Sequence, residues 1–216
     1  MSDTALSRAE MTVKVIAQTA VDNETYFCEL DAVVGDGDFG YSLARGFEIV
    51  LSDFDTLEYD DAGGLLKKTA LILTKRIGGT SGPIWGTAFL RAGAALSGKP
   101  DPSGADVVEA LRASIEGIKQ RGNTDLGDKT LLDALVPAVD ELEKALGEGA
   151  PDALQRAAAT ARESAEATKG MLAQRGRASY TGERSRDSVD AGAIGVAVML
   201  EAVSRAWQES RERSPS

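Results

Sequence analysis

Three aspartates lie close together in the stretch LDAVVGDGDFG: Asp31, Asp36 and Asp38. On one continuous helix, positions i and i+5 point ~140° apart, so a helix alone cannot present all three together. Gly35 and Gly37 permit a turn after Asp31 that brings the carboxylates toward one point. Such carboxylates repel one another unless cations neutralise them. Magnesium suits the task, because it takes carboxylate oxygens, keeps waters and accepts substrate phosphates. Two ions shared by three aspartates can bridge the phosphates of a nucleotide. The plain alternative is an exposed turn, since Asp-Gly pairs are turn formers. The same string fits G-x-G-x-x-G at Gly35, Gly37 and Gly40. No alternating strand surrounds it, however, and Asp36 and Asp38 would repel a metal-free pyrophosphate. An EF-hand fails because its twelfth position, counted from Asp36, is Phe47.

Three further loops carry unusual residues. In GGTSGPIWG, Gly78 to Gly82 precede Pro83, a residue favoured at the start of a helix, so Thr80 and Ser81 stand at a helix N-terminus that attracts phosphate. GNTDLGDKT has the glycine spacing of a P-loop, but Asp128 occupies the lysine position. Asp128 reads instead as a helix cap, with Gly122 able to lie under a flat base. RGRASYTGERSRDSVDAGAIG is long for a connection between helices and holds Arg175, Arg177, Arg184 and Arg186. An arginine there can neutralise charge on a transferred phosphoryl group. Each loop also has an ordinary reading as a capped or solvated connection.

The elements that must position these loops are helices. Val13, Ile16 and Ala20 recur at helical spacing, as do Leu43, Phe47 and Val50. Val108, Leu111, Ile115 and Ile118 form another face. Leu132, Leu135, Val139, Leu142 and Leu146 form a fourth, and Leu154 through Leu172 a fifth rich in alanine. Val196, Met199, Val203 and Ala206 form the last. Ser103 with Asp106 resembles a capping box, Asp61 can cap a helix ending before Gly78, and Gly147 is a plausible stop. About eight helices and no strand alternation predict an all-α, up-and-down assembly. Residues 1–208 read as one domain and 209–216 as a charged, frayed tail.

Composition narrows the function. The chain of 216 residues has a formal charge of −10, which disfavours nucleic-acid binding. It contains no histidine and one cysteine, Cys28, which excludes Ser-His-Asp and Cys-His catalysis and leaves oxygen ligands for any metal. Cys28 reads as a packed thiol. No apolar run approaches the roughly 20 residues that span a bilayer, and Met1–Glu10 does not read as a signal peptide, so the expected location is cytoplasmic.

The strings LDAVVGDGDFG, LARGF, GGTSGPIWGTAFLRA, GDKTLLDALVPA and GRASYTGERS…DAGA, in this order, resemble the nucleotide-binding L subunits of dihydroxyacetone kinases. The resemblance implies an eight-helix antiparallel barrel and two magnesium ions on Asp31, Asp36 and Asp38. It implies ADP or ATP lined by Phe39, Gly40, Tyr41, Ser42, Thr80, Ser81, Gly122, Leu131, Arg177, Asp190, Ala191 and Gly192, with Arg177 as the catalytic charge. It also implies a K-type partner that holds the hydroxyketone through a histidine, a homodimer, and either free ATP or a phosphotransferase-system phosphocarrier as donor. Rival expectations are a kinase for a four-carbon ketose and a non-catalytic, nucleotide-responsive regulator. Two departures stand out: Phe39 replaces a common histidine in GDGDHG, and Ala191 a common proline in DPGA.

Overall fold

The structure is a computed structural model and describes residues 4–213. Among these residues it contains nine α-helices, three 3-10 segments and no strand, so the expected all-α class holds. The helices are α1 (Ala5–Asp22), α2 (Glu24–Ala32), α3 (Phe39–Asp53), α4 (Ala62–Arg76), α5 (Ser81–Leu96), α6 (Gly104–Gly122), α7 (Leu132–Lys144), α8 (Ala150–Ala167) and α9 (Ala191–Arg213). The count exceeds the expected eight by one, with α1 and α2 parted by Asn23 alone. The chain divides into two compact units, each assembled from two separate stretches.

The first unit comprises the chain up to Asp22 and Ser42–Asn123. Here α4 packs on α5 and α5 on α6, as short connections dictate, and α1 packs on α4 although α2 and α3 separate them in the chain. Leu43, Phe47 and Val50, predicted as one face of a helix, are all fully buried. Phe47 sets its ring edge-on to Trp85 and Phe89, with centroids 6.3 and 6.1 Å away. The α4–α5 crossing depends on two glycines: a Cβ on Gly63 would lie 2.6 Å from the Gly93 carbonyl oxygen, and one on Gly93 2.7 Å from that of Gly63. The Asp61 carboxylate caps α4 by accepting the Gly64 N–H at 2.6 Å, and it also accepts the Gly98 N–H at 2.8 Å. These bonds hold its pKa below the ordinary carboxylate value. Ser103 and Asp106 form the anticipated capping box at the start of α6.

The second unit comprises Asn23–Tyr41 and the chain from Thr124 onward. Here α7 packs on α8, α8 on α9, and α9 also meets α7 and α2. The small face of α8 is buried at Ala153, Ala157, Ala158, Ala161 and Ala165, which lets its neighbours approach closely. Arg162 on α8 makes a two-pronged ion pair with Glu201 on α9, at 2.7 and 2.9 Å.

Some boundaries differ from expectation. Asp128 does not cap α7. The helix starts four residues later, and the Asp128 carboxylate accepts the Asp125 N–H and pairs with Arg175. No side chain caps the helix start; Asp133, its second residue, instead reaches back to the preceding turn and accepts the Gly127 and Thr130 N–H groups at 2.6 and 2.7 Å. The stop after α7 is not Gly147. A 3-10 turn, Leu146–Glu148, intervenes, and the chain turns at Gly149 with φ 91°. Leu172 falls beyond the end of α8. The tail expected to fray from Glu209 is helical through Arg213, and 214–216 lie outside the described residues.

Candidate metal and phosphate site

The acidic turn is built by α2, which ends one residue after Asp31. The Asp31 main-chain oxygen accepts the Gly35 N–H at 2.6 Å, and its carboxylate accepts the Gly37 N–H at 2.9 Å. Glycine is required at both positions for different reasons. Gly37 lies in the left-handed region at φ 74°, whereas any Cβ on Gly35 would collide with the Asp31 carboxylate. The result is a fold-back that brings one oxygen from each of Asp31, Asp36 and Asp38 within 4.8 Å of the others. The three residues expected from the sequence to converge are thus together.

Three like charges gather at this turn. Burial raises the Asp38 pKa above its ordinary value, the neighbouring charges of Asp36 and Asp31 add to the rise, and Arg177 opposes it. Arg177 answers part of the imbalance by pairing directly with Asp36. The donor set consists only of hard oxygens, partly exposed, on a turn pre-shaped by glycine, and it fits a magnesium ion that keeps waters and accepts phosphate.

Immediately after the triad, α3 begins. Phe39 packs its ring on Phe27, with centroids 6.0 Å apart, and beside Gly195 of α9. Phenylalanine in place of the common histidine therefore serves packing. Gly40 is buried against α2, where a Cβ would collide with the Glu24 carbonyl and the Cys28 main chain. Tyr41 is exposed and donates its N–H to the Cys28 sulfur at 3.2 Å, so Cys28 is a packed thiol as expected. A helix N-terminus beside the carboxylates supplies a favourable field for an anion bound through the metal.

A second group forms where α9 starts. Asp190 caps it by accepting the Ala193 N–H at 2.7 Å, and its own N–H goes to the Thr168 hydroxyl at 2.8 Å. Although the residue as a whole is half-buried, enclosure of its carboxyl group pushes the pKa up to about 7. Backbone N–H bonds and Lys129 work against the rise, and Asp133 works with it. Gly192 faces Leu131, whose Cβ would stand 3.4 Å from an added Cβ. Ala191 is the first residue of α9, a position that tolerates proline equally well.

Four expected nucleotide residues belong to the first unit. Thr80 precedes α5 and Ser81 opens it. The exposed Thr80 side chain makes no capping bond there, and Gly79 turns the chain at φ 60°. Pro83 is the third residue of α5 rather than its first. Ser42 lies in the first turn of α3, and Gly122 closes α6 before left-handed Asn123.

Sequence reasoning missed Lys129. It is 2% exposed, adopts φ 63°, and directs its ammonium at the main-chain oxygens of Met171, Ser185 and Ser188. The stretch read as a long loop is largely 3-10 helix, Arg177–Asp187, kinked at Gly182. No signal in the sequence marked Lys129, because its partners are all main-chain oxygens.

A helix that ends in a carboxylate-lined turn, with an arginine opposite, is a donor set suited to an anionic ligand held through hard cations. Residues 33–205 match the family described as the DAK2 domain, and the chain belongs to that family. It is 36% identical over 186 residues to the PEP-dependent dihydroxyacetone kinase, ADP-binding subunit DhaL of Escherichia coli, covering 85% of this chain and 89% of that one. It is 37% identical to the L-erythrulose 1-kinase of Mycolicibacterium smegmatis, covering 88% of this chain but 34% of that one. Among solved structures, it is similar to the dihydroxyacetone kinase of C. freundii in complex with AMP-PNP and Mg2+. That likeness has a TM-score of 0.76 and 29% identity, and it covers 92% of this chain and 34% of the other. The chain therefore spans about a third of these last two proteins and most of the E. coli subunit.

Proposed function

We propose that this chain is the nucleotide-binding phosphotransfer subunit of a dihydroxyacetone-type kinase, which presents the phosphoryl group of a magnesium nucleotide to a small hydroxyketone held on a separate K-type subunit. The observation that carries this reading is the convergence of Asp31, Asp36 and Asp38 opposite Arg177, in a chain that matches an ADP-binding subunit over most of both lengths. The bound magnesium supplies charge neutralisation for the phosphates. Asp31, Asp36 and Asp38 would hold it, and we assign them two ions. Arg177, which stands opposite Asp36, would turn to the phosphoryl oxygens and stabilise the charge that builds up during transfer. No covalent intermediate forms on this chain, and catalysis is positioning and electrostatics.

Phe39, Gly40, Tyr41, Ser42, Thr80, Ser81, Gly122, Leu131, Asp190, Ala191 and Gly192 are assigned to the nucleotide. Residues 1–208 are read as the nucleotide-binding domain and 209–216 as its polar tail. A homodimer, either free ATP or a phosphotransferase-system phosphocarrier as donor, and a cytoplasmic location complete the proposal. No described helix is long and apolar enough to cross a membrane.

The similarity to an erythrulose kinase favours a second reading of the substrate, a four-carbon ketose, chosen by the partner subunit. The test is reconstitution with a K-type subunit and each ketose, using either ATP or a PEP-charged phosphocarrier. Turnover with ATP alone eliminates the phosphocarrier. A chain that binds Mg-ADP yet supports no transfer with either donor is a regulator rather than a kinase subunit.

A further inference from the structure

We propose that Lys129 is a positioning residue for Arg177, acting through the main chain of the 171–188 segment; this rests on the reading of Arg177 as the arginine that serves the phosphoryl group. A buried ammonium ordinarily pairs with a carboxylate. Here its three protons meet three main-chain carbonyls: Met171 at 3.2 Å, Ser188 at 2.6 Å and, closer still, Ser185. Met171 precedes the 3-10 stretch that Arg177 opens, while Ser185 and Ser188 stand at its far end. The lysine therefore ties together the two feet of the segment that carries Arg177.

The main chain at Lys129 is itself in the left-handed region, at φ 63°, which a side chain of this kind adopts only where its surroundings fix it. Its neighbour works the same way. The Asp128 main-chain oxygen accepts the Gln174 N–H at 3.0 Å, and the Asp128 carboxylate accepts from Arg175 Nε at 3.0 Å. Arg186 closes the base by donating to the Gly170 oxygen at 2.7 Å, and the Gly170 N–H returns to the Arg186 oxygen at 2.9 Å. Above this base, Arg177 is largely exposed, with 65% of its side chain accessible, and reaches Asp36. A long side chain at the open end of a segment depends on how firmly the base is held. Lys129 joins both feet of that base from one side chain, through Met171 at one and Ser185 and Ser188 at the other.

The test uses the full chain with Lys129→Met, which keeps the aliphatic stem and removes the ammonium, Lys129→Arg, which restores charge and donors, Arg177→Ala, and the Lys129→Met/Arg177→Ala double variant. Amide hydrogen exchange over 171–188 and the NMR line of Arg177 Nε–H are followed first, and phosphoryl transfer with a K-type subunit second. Expected for Lys129→Met is exchange at least about tenfold faster in 171–188 with α8 unchanged, a broadened Arg177 line, and a fall in kcat that exceeds any rise in KM. The double variant should be no slower than Arg177→Ala alone, and Lys129→Arg should recover most of the loss. Unaltered exchange with an unaltered Arg177 line, or losses in kcat that multiply in the double variant, would overturn the proposal. If even the unaltered chain supports no transfer, the kinase reading fails while the exchange and NMR measurements still decide the role of Lys129. Should Lys129→Met not fold, Lys129→Gln, a shorter neutral donor, is put through the same measurements.

Discussion

Arg177 is paired with Asp36, the middle member of the acidic turn, so one guanidinium occupies the place where a cation is expected to sit. The two roles proposed for this site are therefore linked. Under the proposed function, magnesium held by the turn would weaken the hold of Asp36 on Arg177 and free the arginine for phosphate. An arginine suits this exchange, because it remains charged throughout and can move from one pair of oxygens to another.

Asp36→Asn tests the carboxylate side. It removes one negative charge from the three that converge and leaves size and turn geometry almost unchanged. Magnesium-nucleotide affinity is expected to fall by at least ~100-fold, a loss beyond that of a supporting residue around a metal. Helical circular dichroism should be unchanged, since the Asp31 bonds that fold the turn remain. Calorimetric titration with Mg-ADP checks this, and retained affinity would remove Asp36 from the ligand set.

Arg177→Ala tests the other side. The side chain is mostly in water, so its loss should change the melting temperature little. Loss of a preorganised charge at the developing phosphoryl group is expected to lower kcat by roughly 10²–10³-fold. A variant as active as the unaltered chain would refute the role.

The two kinds of result from sequence reading have different physical origins. Buried faces such as Leu43, Phe47 and Val50 were legible, because burial imposes a period on one continuous segment. The acidic turn was legible because glycine and aspartate alternate within a few residues. The Ser103 capping box was legible for the same local reason. Lys129 was not, because its partners are main-chain oxygens 42 to 59 positions away, which carry no side-chain signature. Asp128 was misread as a cap because the helix begins only at Leu132, and its carboxylate is engaged instead by the Asp125 N–H and by Arg175, 47 positions away.

Asp61→Ala examines the first unit. Its carboxylate holds the Gly64 N–H at the start of α4 and the Gly98 N–H beyond α5, so both donors lose their partner together. A loss of about 1–2 kcal/mol is expected from urea unfolding, as for other helix caps. The pH dependence has a definite sign. A depressed carboxylate pKa contributes stability above its unfolded value near 3.8, and that contribution is lost as pH falls through the lower folded value. The deficit of the alanine variant should therefore be full at pH 7 and shrink below about pH 4. A deficit that does not change with pH would mean that the charge is immaterial to the cap.

Asp190 behaves in the opposite direction. Enclosure raises its folded pKa from 3.8 to about 7, so the folded state binds a proton more tightly than the unfolded chain does. Its contribution to stability is therefore complete below about pH 4 and is lost as pH rises toward 7. Lys129 and Asp133 are the charges that act on it, and their effects oppose each other. Asp190→Asn keeps an oxygen to accept the Ala193 N–H but cannot ionise. Without nucleotide, the asparagine variant should lack this loss and gain up to a few kcal/mol on the unaltered chain between pH 4 and pH 8. The carboxyl carbon resonance of Asp190 should titrate near neutrality. A midpoint near 4, with parallel stability curves for the two proteins, would show that the carboxylate is solvated and that its place at the head of α9 is only that of a cap.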